Sequence, residues 1–297
     1  MQDIIFDTDV GSDCDDMMAL ALLAYGTRQM GTHISAITHS NSAPGGIGCI
    51  KAALKSLGMS VPPIGSCTEG VPAYDKYSSA IAECYGEDDS ASDTAVRTMR
   101  RALASGYEMT LLAVGPLTNV AALLDSEGDD ISPERGIELM RERCKCVVVM
   151  GGKFNAPVAE WNIKLDVPAA RSLVQRCPTP IIFLPHESGD GVISGGYLLD
   201  APDSPVSLSF KLFPGCDRLG GRHSWDPLAT AYAIGYKNIF DITNGKVEID
   251  ECGVTTLTVG RGCHTVLTLR REGGESECEM KARYGRFIDE RTAPLFD

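Results

Sequence analysis

Short apolar runs alternate with longer amphipathic segments along the first two-thirds of the chain. The short runs predict β-strands, because a strand buried on both faces reads as a continuous apolar run. They cover Ile4–Phe6, Ile34–Thr38, Met109–Val114, Lys145–Met150 and Ile181–Leu184. The longer segments carry apolar residues at helical spacing and predict helices. They cover Asp15–Ala24, Gly48–Leu57, Ala95–Ala104, Leu117–Leu124, Pro168–Gln175 and Trp225–Ile234. This alternation predicts an α/β fold with a mostly parallel central sheet flanked by helices, open and Rossmann-like.

The last quarter of the chain has a different pattern. Gly253–Val259 and Cys263–Leu269 are rich in β-formers, and a Gly-Arg-Gly sequence lies between them. We expect these two segments to form an extra β-hairpin near the C-terminus. No linker-like composition and no internal repeat interrupts the sequence, so we expect residues 1–297 to form a single domain.

The charge balance narrows the class of ligand. The 297 residues include 27 Lys and Arg against 40 Asp and Glu, which gives a formal net charge of −13. An acidic surface repels phosphate backbones, so nucleic acid is not an expected partner. A bound cation or an uncharged small molecule fits this charge better.

The eleven cysteines are odd in number and scattered, without CxxC spacing. This distribution favours reduced thiols over a disulfide framework or a zinc site. The chain runs from its first residues directly into a strand pattern, and no apolar run reaches ~18 residues. We therefore expect a cytoplasmic protein without a membrane-spanning helix.

The most informative segment is the aspartate cluster that follows the first strand. Five aspartates fall between positions 7 and 16: Asp7, Asp9, Asp13, Asp15 and Asp16. The carboxyl end of a strand is where ligands bind in open α/β sheets, and Gly11 lets the backbone turn so that the carboxylates converge. Carboxylates packed this closely repel one another, so the cluster predicts a divalent cation with oxygen ligands, held there to activate water.

Two other interpretations of this segment stay open. Asp13 or Asp15 alone could cap the following helix. The sequence Asp7-Thr8-Asp9-Val10 after an apolar strand also resembles the first motif of the haloacid-dehalogenase superfamily, which would make Asp7 the nucleophile of a phosphatase. The later motifs of that superfamily are not recognisable in the chain.

Four segments, in order, resemble the inosine–uridine-preferring nucleoside hydrolases. They are the strand with Asp7-Thr8-Asp9-Val10-Gly11 and Asp15-Asp16-Met17-Met18-Ala19-Leu20, then Val114-Gly115-Pro116-Leu117-Thr118-Asn119, then Met150-Gly151-Gly152 with Glu160-Trp161-Asn162-Ile163, and then Trp225-Asp226-Pro227-Leu228. Together they span residues 4 to about 235, and four motifs in the family's order are far more specific than one.

The resemblance implies a reaction and a site. The reaction is hydrolysis of the N-glycosidic bond of a ribonucleoside to free base and ribose, and the implied metal is Ca²⁺. Asp9 would contact the ion and act as general base on its bound water. The other implied metal ligands are Asp16, the backbone carbonyl of Thr118, and Asp226. The implied ribose ligands are Asp15, Asn41, Glu160 and Asn162.

Two departures from the family pattern leave roles open. The stretch Gly11-Ser12-Asp13-Cys14-Asp15-Asp16 is two residues longer than the family's Gly-x-Asp-Asp, so either Asp13 or Asp15 could bind the sugar. Trp225 stands where some members have a histidine before the metal-binding Asp. An indole at this position could stack on a protonated purine.

The family also implies a homodimer or homotetramer acting on a small-molecule nucleoside. One further hypothesis belongs to another class of protein. The chain could be a non-catalytic nucleoside- or sugar-binding protein that keeps the fold and the metal, although the Asp9, Asp16 and Asp226 set favours an enzyme.

Overall fold

The structure is a computed structural model that describes residues 2–67, 71 and 73–296. Its strands are β1 (Gln2–Thr8), β2 (Thr32–His39), β3 (Ile64–Ser66), β4 (Asp93–Thr94), β5 (Met109–Ala113), β6 (Cys144–Met150), β7 (Ile181–Leu184), β8 (Ile193–Ser194), β9 (Arg222–His223), β10 (Phe240–Ile249), β11 (Thr255–Val259) and β12 (His264–Leu269). Its helices are α1 (Asp15–Gln29), α2 (Gly46–Ser56), α3 (Ser78–Tyr85), α4 (Ala95–Ala104), α5 (Thr118–Asp125), α6 (Gly136–Arg143), α7 (Trp161–Leu165), α8 (Val167–Arg176), α9 (His186–Gly189), α10 (Pro205–Leu212), α11 (Cys216–Leu219), α12 (Trp225–Ala233) and α13 (Glu277–Thr292).

Ten strands form one large sheet in the order β11-β10-β12-β7-β6-β5-β1-β2-β3-β4, and β8 and β9 form a separate antiparallel pair. From β12 to β4 every neighbouring pair is parallel. The predicted fold class, a mostly parallel sheet flanked by helices, is therefore confirmed.

The C-terminal hairpin is present, but the predicted pairing of its strands was wrong. Residues 253–259 and 263–269 do not pair with each other, because β10 lies between β11 and β12 and pairs antiparallel with both. The hairpin is formed by β10 and β11. The Gly-Arg-Gly sequence at 260–262 connects β11 past β10 to β12. The outer edge of the sheet thus ends in an antiparallel pair.

The central strands are apolar on both sides because they divide two cores. Ile4 and Phe6 of β1 belong to one buried cluster, which includes residues of α1, α2 and α12. Ile5, between them, belongs to a second cluster, which includes residues of α4, α5 and α8. Successive side chains of a strand point to opposite faces, so this division follows directly from the sequence of β1.

The order of the strands also decides where a ligand can bind. From β1 the chain proceeds outward through β2, β3 and β4, and then returns to place β5, β6 and β7 on the other side of β1. The loops after β1 and β5 therefore diverge, and a crevice opens between them at the carboxyl end of the sheet. The aspartate cluster follows β1 and lies at this point of reversal. In the part of the chain that the structure covers, no helix is long and apolar enough to cross a membrane.

A buried arginine ties α4 to the loop before α6. Arg100 is 1% exposed and binds both carboxylate oxygens of Asp129, each at 3.0 Å. It also donates to the carbonyl oxygens of Ser132 and Glu134, both at 2.9 Å. A buried guanidinium is tolerated only when its donors are paired in this way.

We expect Arg100→Met to lower the free energy of unfolding by about 2–4 kcal/mol, because it removes the two-pronged ion pair with Asp129 and the hydrogen bonds to the Ser132 and Glu134 carbonyls. The neighbouring Arg101 is half exposed and pairs with Asp93 at the surface, so Arg101→Met is the matched control and should cost under about 1 kcal/mol. Urea unfolding followed by circular dichroism measures both. Equal effects of the two substitutions would contradict the structural role of Arg100.

Candidate active site

A cavity of about 360 Å³ opens at the carboxyl end of the sheet. Its lining residues are Asp9, Ser12, Asp13, Asp15, Asp16, Tyr74, Lys76, Val114, Met150, Glu160, Trp161, Asn162, His186, Arg222, Trp225 and Asp226. A cavity of this volume is large enough for a small molecule that consists of a sugar and a planar ring. One end is rich in carboxylates, and aromatic side chains line much of the rest.

Four neighbouring strands deliver residues to this cavity from their carboxyl ends. Asp9 follows β1, Val114 follows β5, Met150 ends β6 and His186 follows β7. Further polar groups come from the first turns of α1, α7 and α12, and the others from the loop after β1, the segment before α3 and β9. Backbone N–H groups at such helix starts lack partners within the helix, so they can bind acceptors there.

Three carboxylates meet at the acidic end. Oxygens of Asp15, Asp16 and Asp226 lie within 4.8 Å of one another, and all three residues are buried. Burial raises the pKa of each well above its ordinary value, and repulsion from neighbouring aspartates, Asp9 and Asp13 among them, adds to the effect. The Thr8 hydroxyl donates to Asp16, and the backbone N–H groups of Trp225 and Asp226 donate to Asp15 at 3.1 Å.

Asp9 lies beside this group and lines the same cavity. Burial raises its pKa to about 7, and the negative charges of Asp13 and Asp7 act in the same direction. A carboxyl with this pKa can accept a proton near neutral pH. Gly115 makes room for Asp9: a Cβ at position 115 would lie 3.0 Å from both Cβ and Oδ1 of Asp9. The glycine of the Gly-Pro-Leu-Thr-Asn segment thus allows the loops after β1 and β5 to approach closely.

The donor set fits a hard divalent cation. Buried carboxylates without enough positive charge nearby are costly, and an ion bound among them removes that cost. Oxygen-only ligands suit Ca²⁺ or Mg²⁺ better than zinc. Asp15, Asp16 and Asp226 supply anionic oxygens, with Asp9 adjacent. The Val114 carbonyl oxygen accepts from the Asn162 amide at 2.8 Å, and both residues line the cavity.

The two extra residues of the aspartate loop make contacts of their own. Asp13 forms a two-pronged ion pair with Arg222, whose Nε lies 2.8 Å from Oδ1 and whose Nη2 binds Oδ2. Asp13 also accepts from the Cys14 N–H at 2.7 Å. With its oxygens engaged in this way, Asp13 is less free than Asp15 to contact a ligand.

Residues 74–77 hold the turn of the aspartate loop from the other side. The buried Tyr77 hydroxyl accepts from the Gly11 N–H at 3.1 Å and donates to the Asp13 carbonyl at 2.6 Å. Lys76 N–H donates to the Gly11 carbonyl at 2.9 Å. One phenol therefore spans the loop that carries the clustered aspartates. No motif in the sequence pointed to Tyr77, which lies more than sixty positions further along the chain.

Glu160 and Asn162 form a fixed polar wall. The Glu160 carboxylate caps α7, accepting from the N–H groups of Asn162 at 3.0 Å and Ile163 at 3.2 Å. Burial raises the pKa of Glu160 to about 7. The Asn162 amide donates to the carbonyls of Val114 and Met150, at 2.8 and 3.2 Å. These bonds orient both side chains toward the cavity before any ligand arrives.

Aromatic rings also line the cavity. Trp225 donates from Nε1 to the His186 carbonyl at 3.0 Å and stacks on His223, with ring centroids 4.8 Å apart. The Arg222 guanidinium lies 5.2 Å from the Trp225 ring centroid. Trp161 is half exposed at the rim and lies 5.6 Å from the Tyr74 ring. Flat, polarisable surfaces of this kind suit a planar ring.

The structure brings most of the predicted site residues together. Those that line the cavity are Asp9, Asp13, Asp15, Asp16, Glu160, Asn162, Trp225 and Asp226. The described lining includes neither Asn41 nor Thr118. Their roles as ribose ligand and carbonyl ligand therefore lack support from this geometry. Arg222, Lys76, Tyr74 and Val114 line the cavity although the sequence reasoning did not single them out as contacts.

Asn41 and Thr118 are engaged elsewhere. The Asn41 amide donates to the Tyr74 carbonyl at 2.7 Å, and its oxygen accepts from the N–H groups of Ala43 and Tyr74 at 3.0 Å. It therefore joins the loop after β2 to the segment that carries Tyr74. The Thr118 hydroxyl donates to Asp166 at 2.6 Å. Asp166 caps α8, accepting from Ala169 N–H at 3.0 Å.

Asp7 is fully buried beneath the site. Its Oδ1 accepts from the Thr38 hydroxyl at 2.6 Å and from the Asn119 amide at 2.8 Å, and burial raises its pKa to about 7. Asp7 is absent from the described lining of the cavity. A nucleophile must reach its substrate, so this position argues against the phosphatase interpretation.

Fold and site together define an α/β protein with a cluster of buried carboxylates at the point where its strand order reverses. Such a cluster could hold a metal ion. The family model for inosine-uridine preferring nucleoside hydrolases matches residues 4–289. The chain belongs to this family. Among curated relatives, the pyrimidine-specific ribonucleoside hydrolase RihA of Klebsiella pneumoniae is 38% identical over 95 residues, which are 30% of this chain and 27% of that protein. The matched segment is thus only about a quarter of that relative's length.

Solved structures agree in fold over nearly the whole chain. The inosine-uridine preferring nucleoside hydrolase of Bacillus anthracis superposes with a TM-score of 0.73 at 16% identity, covering 98% of this chain and 99% of that one. The purine-preferring ribonucleoside hydrolase of Gardnerella vaginalis gives a TM-score of 0.72 at 18% identity, covering 99% of each chain. At these identities the similarity establishes the fold.

We expect Tyr77→Phe to weaken divalent-cation binding about tenfold, since loss of a group that orients metal ligands typically has an effect of this size. The ring and its packing are kept, and only the bonds to Gly11 and Asp13 are lost. Calorimetric titration with CaCl₂ measures the affinity. Tyr85→Phe, at an exposed tyrosine of α3, is the control, and an affinity of Tyr77→Phe equal to that of the control would contradict the role of the hydroxyl.

The raised pKa values of the site carboxyls predict that the stabilisation of the protein by a bound cation depends on pH. Folded Asp9 has a pKa of about 7 against an ordinary 3.8, so between these values the folded state binds more protons than the unfolded state. The metal-free protein should therefore lose stability as pH rises through that window. A bound cation takes the place of the protons on these carboxyls. Its stabilising effect should therefore grow as the pH rises.

Thermal melts in EDTA and in CaCl₂ should show a larger stabilisation by the cation at about pH 8 than at about pH 5.5. Stabilisation that is independent of pH would show that the acidic group does not hold the ion.

Proposed function

We propose that this chain is a divalent-cation-dependent ribonucleoside hydrolase that releases a free base and ribose. The observation that carries the proposal is that one cavity contains the Asp15, Asp16 and Asp226 group, the adjacent Asp9 and the polar wall of Glu160 and Asn162. Family membership supports the reaction class. Each of these groups has a separate task in cleaving an N-glycosidic bond.

Asp9 is the proposed general base. It takes a proton from the attacking water, whose oxygen then bonds to the anomeric carbon of the sugar while the bond from that carbon to the base nitrogen breaks. A cation held by Asp15, Asp16 and Asp226, for which we propose Ca²⁺, would lower the pKa of water at the site. Val114 is a better candidate than Thr118 for a carbonyl ligand, because it lines the cavity.

The sugar is held by groups that are already fixed in place. Glu160 accepts hydrogen bonds from hydroxyls, and Asn162 offers its amide oxygen while its NH₂ is anchored to the Val114 and Met150 carbonyls. Asp15 is the better candidate than Asp13 for the remaining sugar hydroxyls, since Asp13 is paired with Arg222. Negative charge around the sugar stabilises the positive charge that develops on it.

The base would lie at the aromatic end, against Trp225, with Tyr74 and Trp161 at the rim. An indole face favours a ring that gains positive charge on protonation. The named relatives include one that is pyrimidine-specific and one that is purine-preferring, so base preference is a question for experiment. We further propose a homodimer or homotetramer and a role in nucleoside salvage. All eleven cysteines lie in described segments and are free thiols, which supports the predicted cytoplasmic location.

The test is release of free base from inosine, adenosine, guanosine, uridine and cytidine, followed by chromatography with CaCl₂ or EDTA. We expect turnover of at least one nucleoside with CaCl₂, and none with EDTA. Asp9→Asn should reduce kcat by about 10²–10⁴-fold, because the substitution removes the proton acceptor and keeps the shape. Asp203→Asn, at an exposed aspartate that pairs with Lys211, is the control and should match the wild type.

Absence of turnover with a folded, calcium-loaded protein would reject the hydrolase proposal for these substrates. In that case, calorimetric titration with inosine distinguishes the remaining hypothesis. Binding without turnover would identify a nucleoside-binding protein on the same fold.

A further inference from the structure

We propose that Cys14 and Cys216 form a redox-modification site, in which hydroperoxide joins the two thiols as a disulfide and thereby weakens the metal site. The two Sγ atoms lie 3.5 Å apart, although the residues are 202 positions apart in the sequence. Both are free thiols and both are buried. The proposal builds on the metal site of the proposed function but uses residues that the reaction itself does not need.

The pair bridges two segments that meet at the cavity. Cys14 precedes Asp15 and is the N-cap residue of α1. Cys216 is the first residue of the short helix α11, which leads through Gly220 and Gly221 to Arg222. Asp13 and Arg222 bridge the same two segments through their ion pair. The loop that is two residues longer than the family pattern therefore makes two adjacent bridges to 216–222, one ionic and one between thiols.

Only a small movement is needed to close the thiol bridge. A disulfide has its sulfurs about 2.05 Å apart, so the two atoms must approach by about 1.5 Å. Gly215, Gly220 and Gly221 surround α11 and have φ values of 92°, 69° and 132°. Backbone at glycine adjusts readily, so the 216–222 segment can follow Cys216. Cys14 cannot move far without moving the start of α1.

Formation of the disulfide consumes one hydroperoxide as the two-electron oxidant. One thiol takes an oxygen from the hydroperoxide to become a sulfenic acid, and one water (or alcohol) leaves. The second sulfur attacks the first, the S–O bond breaks and a water departs, so two thiols lose two electrons and two protons in total. A dithiol reductant reverses the step by exchange.

Closure changes the metal site through the backbone. Asp15 and Asp16 follow Cys14 directly, and their oxygens must stay within the 4.8 Å group that they form with Asp226. Drawing Cys216 toward Cys14 shifts the 216–222 segment, which leads directly into α12, and so moves Asp226 relative to Asp15 and Asp16. We expect Ca²⁺ affinity to fall about tenfold, the usual size of an effect on groups that orient metal ligands. By linkage, bound Ca²⁺ must oppose disulfide formation to the same extent.

The experiment treats the full chain with hydrogen peroxide, alkylates the remaining thiols, and maps cross-linked peptides by mass spectrometry. CaCl₂ titration calorimetry then compares the oxidised protein, the same sample after dithiothreitol, and the oxidised Cys216→Ser variant. We expect a Cys14–Cys216 cross-link, slower formation with CaCl₂ present, and an affinity loss that dithiothreitol reverses and Cys216→Ser abolishes. Cys84→Ser, at an exposed cysteine, is the matched control and should behave as the wild type.

Two results would overturn the proposal. One is the absence of the cross-link under conditions that fully oxidise the exposed Cys84 and Cys278. The other is a cross-link that leaves Ca²⁺ affinity unchanged. Neither readout uses nucleoside turnover, so failure of the hydrolase proposal is seen separately. A reduced protein that binds no Ca²⁺ would count against the metal site itself and against the coupling, whereas the mapped peptides would still decide whether the thiols join.

Discussion

Repulsion among buried carboxylates is the constraint on which this structure depends. Asp9, Asp15, Asp16 and Asp226 are all buried and line a single cavity, and a protein interior does not tolerate such a group without compensation. Part of that compensation is built into the chain, because the N–H groups at the start of α12 and the Thr8 hydroxyl donate to these oxygens. The rest requires either protons or a cation. The fold therefore keeps in place an arrangement that is unfavourable by itself and becomes favourable with an ion bound.

Several parts of the molecule serve to keep that arrangement in place. A hydrophobic core packs against each face of β1 and fixes the position of its carboxyl end, which Asp9 follows directly. Tyr77, from a distant segment, joins the two ends of the aspartate turn, and Gly115 allows the neighbouring loop to close over it. Glu160 and Asn162 are similarly held by backbone groups of their own helix, of the residue after β5 and of the end of β6. Side chains whose positions are fixed by the protein lose little freedom when they bind a ligand, and this preorganisation is what catalytic sites require.

Much of this could be predicted from the sequence because it rests on local patterns. The central strands are continuous apolar runs, and the aspartates follow the first of them within a few residues. The rest depends on contacts between distant segments. In β10, Phe240 and Ile242 alternate with polar residues, but the alternation changes register at Asn244-Gly245 before Val247 and Ile249. The sequence pattern therefore does not predict this strand. Without it, β11 and β12 look like the two strands of a hairpin. Arg222 and Tyr77 reach the site through tertiary contacts, which sequence spacing does not reveal. Asn41 lies at the carboxyl end of a strand as a ligand-binding residue would, but its amide binds the backbone of Tyr74.

Trp225 and Asp226 are consecutive residues on the first turn of α12, and the N–H groups of both are held by the same carboxylate, Asp15. The indole of Trp225 and the carboxylate of Asp226 are therefore fixed on the same helical turn. Sliding or tilting this helix to fit a larger or smaller ring would carry Asp226 away from its partners. During evolution, the aromatic part of the cavity can accordingly change shape by exchange of side chains at position 225 or in the rim around Tyr74 and Trp161. The backbone of α12 cannot shift in the same way, because Asp226 must stay beside Asp15 and Asp16. Divergence in ligand choice within this architecture is thus expected to accumulate in rim side chains and loops and to spare the helix that supports them.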